Sequence, residues 1–123
     1  MPSVPTKILG YLNQGDTVVA ELDGPSADVR CFVVISPVDK PGVPRERRRY
    51  VNSKYTMWEY WNYHFRRMCL RPGWEAEDWD YDLYLTLDER RQTTNESEFD
   101  ACVEAWIPDP GRLVHIMDSD CPI

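Results

Sequence analysis

Almost every short signature of chemistry is missing from this chain. Its six glycines are scattered, so no glycine-rich loop is available to cradle a phosphate. There are two histidines, His64 and His115, and four cysteines, Cys31, Cys69, Cys102 and Cys121. No cysteine pair has the CxxC spacing of a structural zinc or a thioredoxin-like redox centre. The longest unbroken apolar run, Cys31 to Ile35, falls far short of the ~20 residues a membrane helix needs. The first seven residues carry neither the basic cluster nor the apolar core of a secretory leader. The expectation is therefore a cytoplasmic protein, outside the membrane, with its thiols reduced and packed as small hydrophobes.

The acidic run deepens the absence. Asp78, Asp80 and Asp82 alternate as the first ligands of a calcium loop do, but Leu83 stands where that loop turns on glycine. Asp118-Ser119-Asp120 lies beside the terminus, where fraying is the rule. No catalytic residue, metal ligand or cofactor is assigned from the sequence.

What is present is a chain of 123 residues, 42% apolar and 28% charged, the size and balance of one globular domain spanning 1–123. The net charge of −7 hides a partition. Residues 45–71 carry 8 basic and 2 acidic side chains, whereas residues 72–123 carry 3 basic and 14 acidic ones. An acidic protein repels nucleic acid at long range, so no direct nucleic-acid partner is expected. The stretch Arg45-Glu46-Arg47-Arg48-Arg49 reads as a solvated segment facing the acidic half of the same chain.

Lys7–Leu12 and Thr17–Leu22 are rich in β-formers around the turn-like Asn13-Gln14-Gly15-Asp16, and read as a hairpin. Val29–Ile35, apolar on both faces after Arg30, belongs at the centre of a sheet. Pro37, Pro41, Gly42 and Pro44 make a Pro/Arg-rich loop near 36–50. From Asn52 or Ser53 to Pro72-Gly73 the spacing predicts the main helix, with Trp58, Trp61, Phe65 and Met68 on one stripe. Alternation then predicts strands over Tyr81–Leu87 and Phe99–Ile107, with Asp88–Ser97 as a loop. Pro108–Gly111 is a turn, Arg112–Met117 closes a second hairpin, and 118–123 is a loose tail. The predicted fold is α+β: a curved antiparallel sheet of five to six strands with one main helix on one face, in the order β-β-β-α-β-β-β. A small closed barrel capped by the helix is the alternative.

The unusual feature is the interleaving of acid and aromatic groups after Pro72-Gly73. Trp74, Glu75, Glu77, Asp78, Trp79, Asp80, Asp82 and Tyr84 form the candidate partner-binding set. Rings bury large area at small entropic cost, and carboxylates around them select a cationic surface. The leading expectation is a non-enzymatic acidic inhibitor that neutralises a basic-surfaced protein such as a toxin or nuclease, in the manner of an immunity or phage anti-defence protein. The first alternative is a small-molecule or anion binder, its aromatic helix lining a sheet cavity and Arg66, Arg67 or Arg71 holding the anion. The second is an enzyme, or an assembly subunit, with a site built from scattered residues. The pattern leaves the oligomeric state open.

Overall fold

A computed structural model describes residues 4–38, 50–51, 54–55, 61–75 and 79–118. Helix α1 (Thr6–Asn13) opens the chain, followed by strands β1 (Val18–Leu22) and β2 (Arg30–Pro37). The two-residue strands β3 (Tyr50–Val51) and β4 (Lys54–Tyr55) pair with each other in a separate two-stranded ladder. Then come β5 (Tyr63–Leu70), a 3₁₀ turn at Tyr81–Tyr84, β6 (Leu85–Thr93), helix α2 (Glu96–Trp106) and the short β7 (Val114–His115). The main sheet is antiparallel, five-stranded and open, in the order β6-β5-β2-β1-β7. The α+β class and the five-stranded antiparallel sheet stand as the sequence implied, and β2 is its middle strand.

Three segments differ from the sequence reading. Lys7–Leu12 is helical because Ile8 and Leu12, four residues apart, both drop into the core, whereas a strand would have sent them there with Gly10 between. Phe99–Ile107 begins inside a helix that buries Phe99, Cys102, Val103 and Trp106, the spacing of one helical face. Its start is capped as helices require: the Asn95 side chain accepts from the Glu98 N–H, and Glu98 reaches back to the Thr94 N–H and hydroxyl. The expected aromatic helix is, over Tyr63–Leu70, the strand β5 between β2 and β6. A strand covered on both faces carries apolar side chains on both, so Phe65 and Met68 serve opposite faces instead of one stripe. Trp58 lies outside the described residues, and Trp61 takes a left-handed backbone (φ 52°) just before β5.

β6 starts later than expected and runs through the charged Asp88–Thr93, because those charges are matched across the ladder: Arg66 to Asp88 at 2.9 Å and Arg67 to Glu89 at 2.6 Å. β7 pairs with β1 instead of closing a hairpin with the segment before it, which is helical. The thiol expectation also changes, since Cys31 and Cys69 face each other across β2 and β5 and form a disulfide, while Cys102 is free and buried. Residues 39–49 of the Pro/Arg-rich loop and 119–123 of the tail are outside the described residues.

Both helices cover one sheet face. Ile8 and Leu12 of α1 join Phe99, Val103 and Trp106 of α2 over Val18, Ala20, Val33, Ile35, Tyr63 and Phe65. The opposite face buries a smaller cluster, Val19, Phe32, Val34, Met68 and Leu70, with Trp74, Tyr84 and Leu85 packed against it.

Candidate functional site

The segment that carries the acid and aromatic residues is the excursion between β5 and β6. Its two ends are tied together: Leu70 pairs with Leu85, and the Arg71 N–H donates to the Tyr84 carbonyl at 2.9 Å. Pro72-Gly73 turns the chain away, with Gly73 at φ +103°, a conformation glycine adopts without the Cβ penalty. A Cβ there would also sit 3.1 Å from the Tyr84 ring, so glycine lets the two arms of the excursion close up.

Two rings peg this excursion to the sheet. Trp74 is half-buried, meeting Phe32 edge-on at 6.2 Å. The Arg30 guanidinium lies 5.1 Å from Phe32 and 5.0 Å from Trp74, and Glu21 holds it with bonds of 2.6 and 3.1 Å. Tyr84 is also half-buried, with the Arg71 guanidinium 5.5 Å from its ring. Cation–π contacts of this kind fix ring orientation as well as adding stability.

Beyond the pegs the segment turns outward. Trp79 is 96% exposed and Leu83 68% exposed. Asp80 and Asp82, which bracket the tip, are exposed, as is Glu75 beside Trp74. The Leu83 N–H donates to the Asp80 carbonyl at 2.9 Å, winding Tyr81–Tyr84 into its 3₁₀ turn. That turn brings Trp79, Asp80, Asp82 and Leu83 onto one short stretch of exposed chain. Of the eight residues chosen from sequence, Trp74 and Tyr84 are anchors against the sheet, while Trp79, Glu75, Asp80 and Asp82 are exposed. Glu77 and Asp78 fall outside the described residues. The reading missed Leu83, because Tyr81, Leu83, Leu85 and Leu87 alternate as a half-buried strand would. Arg30 and Arg71, the partners of the pegs, carry no sequence signal for that role.

The remaining chemistry is quiet. Among the described residues no group of three or more His, Cys, Asp and Glu side chains is placed to hold a metal ion. Burial, helped by Arg90 and Arg66, holds His64 below its ordinary value of 6.5, against a weaker opposing pull from Asp88. Burial pushes the Cys102 thiol up, with nearby Arg91 and Arg67 opposing, so the protonated form is favoured. Arg66, through its hydrogen bond, draws Asp88 below the usual carboxylate range. The arginines named for anion binding are engaged in different ways, Arg66 with Asp88, Arg67 with Glu89 and Arg71 above Tyr84. Comparison with protein-family models, with curated proteins and with solved structures finds no match for this chain.

Proposed function

We propose that this chain is a non-enzymatic acidic inhibitor that captures and neutralises a protein with a basic surface, as an immunity protein does with its toxin or a phage anti-defence protein with a host nuclease. One observation carries the reading: a tryptophan exposed over 96% of its surface, on an excursion whose base is pinned by two half-buried rings. Tryptophan is usually buried, and large apolar groups held out in solvent mark contact surfaces. Leu83 adds apolar area, Asp80 and Asp82 flank it along the chain, and Glu75 beside Trp74 adds charge of the same sign. A cationic partner would be steered in by the carboxylates and held by the indole.

The test pairs capture with inhibition. The chain is used as bait in host extract, and the captured protein is purified and its own activity titrated with the chain. The expected result is stoichiometric loss of that activity. Trp79→Ala should weaken binding by about 2 kcal/mol or more, roughly thirtyfold in Kd. Asp80→Lys with Asp82→Lys should slow association most at low salt. Full inhibition by both variants would remove the excursion from the interface and end this reading.

A further inference from the structure

The wall opposite the excursion holds a second feature. A cavity of about 370 Å³ opens between the end of β1, the last turn of α2 and the 3₁₀ turn at Pro110–Arg112. We propose that it binds a small zwitterion with an apolar body, of which an apolar α-amino acid is the simplest form.

Arg67 and Arg112 line the cavity, and so do Asp23 and Asp109. A simple anion would meet two carboxylates as well as the carbonyl end of α2, whose last turn holds no basic residue. A simple cation would meet two guanidinium groups. A molecule carrying both charges has a partner for each.

The arginines are prepared for a carboxylate in different ways. Arg67 is held rigidly: its guanidinium lies 4.9 Å from the Trp106 ring and donates to Glu89 at 2.6 Å. Among the described residues its buried Nε has no hydrogen-bond acceptor. Arg112 is held weakly, reaching Asp23 and the Glu21 carbonyl only at 3.4 Å. Guanidinium groups match carboxylates bidentately, and Arg112 exchanges little to do so. Asp109 commits one carboxylate oxygen to the Gly111 N–H at 3.0 Å, and Asp23 stands at the rim with its side chain 92% exposed. Leu22, Trp106 and Pro108 supply the apolar wall.

The cavity lies on the helix-covered side of the sheet, so this site and the excursion can be tested separately. The experiment titrates the intact chain with L-phenylalanine, following the Trp106 indole N–H by NMR. 3-Phenylpropionate, which lacks the ammonium, and L-phenylalanine methyl ester, which lacks the carboxylate, are the controls. Saturable shifts with L-phenylalanine, at least about tenfold weaker binding of either control, and a similar loss in Arg112→Gln support the proposal. Arg112 and Asp23 are exposed, so R112Q and D23N leave the fold intact where an Arg67 variant risks it. No saturable shift up to about 20 mM overturns it, as does equal binding of 3-phenylpropionate, or affinity unchanged in both R112Q and D23N.

Discussion

The two faces of the sheet are covered by different means. The inner face carries two helices whose side chains interlock with the strands: Phe99 alone contacts Trp61, Tyr63 and Phe65 at ring separations of 5.3, 5.0 and 5.6 Å. The outer face carries an irregular excursion that rests on two rings and two guanidinium groups, and its tip leaves Trp79 and Leu83 largely exposed. Apolar burial on the inner face sets stability, while the outer face combines modest anchoring with an exposed tip. The lesson is that residues of the same chemical type divide by layer. Phe99 and Trp106 hold the fold, Trp74 holds a loop, and Trp79 holds neither.

That division predicts a graded series. Phe99→Ala should cost about 3–5 kcal/mol in denaturant unfolding, because it empties a ring site between α2 and the sheet. Trp74→Ala should cost less, about 1–3 kcal/mol, since the ring is half-exposed; hydrogen exchange should quicken at Arg71 while β2 stays protected. A Trp74 variant as costly as Phe99→Ala would show the excursion to be part of the main core. Asn95→Ala removes the α2 cap and should cost about 1 kcal/mol.

Acid should discriminate the faces next. His64 sits on the outer face and is held below 6.5, so the unfolded chain takes its proton first as pH falls. Stability from this source is complete above 6.5 and declines below it, and His64→Gln should flatten that part of a pH series of urea midpoints. Asp88, held below 3.8, loses its stabilising contribution only at lower pH, in the same direction. An unchanged slope in His64→Gln would assign the acid sensitivity elsewhere. The smallest stability effect belongs to the tip: Trp79→Ala and Leu83→Ser should shift unfolding by no more than about 0.5 kcal/mol. A larger loss would mean that the tip supports the sheet and would blur the contrast between the faces.

Much of the difficulty in reading the fold comes from segments that satisfy two periods at once. In Phe99–Ile107, the strand set Phe99, Ala101, Val103, Ala105, Ile107 and the helix set Phe99, Cys102, Val103, Trp106 are both apolar. The deciding residues are Ala101 and Ala105, which are small enough to stand exposed on a helix. The capping pair Asn95 and Glu98 is the available signal for the helix, but Asn95 belongs to the polar run Asp88–Ser97, which reads as a loop. For Tyr63–Leu70 no local signal resolves the choice, because a strand buried on both faces and an aromatic helix are alike in composition. At the candidate site, the exposure of Trp79 and the inward turn of Trp74 are equally unmarked in sequence, for both are tryptophans beside acids.

The amino-acid order by itself determined the charge partition, the acid-aromatic excursion, the glycine that opens it, and an antiparallel α+β architecture with β2 central. These follow from composition, turn residues and short connections, which act locally. Tertiary structure alone decided which amphipathic segments became helices, which cysteines met, and which rings became pegs. Those outcomes depend on what lies across the sheet from each side chain, and a neighbour distant in sequence leaves no local trace.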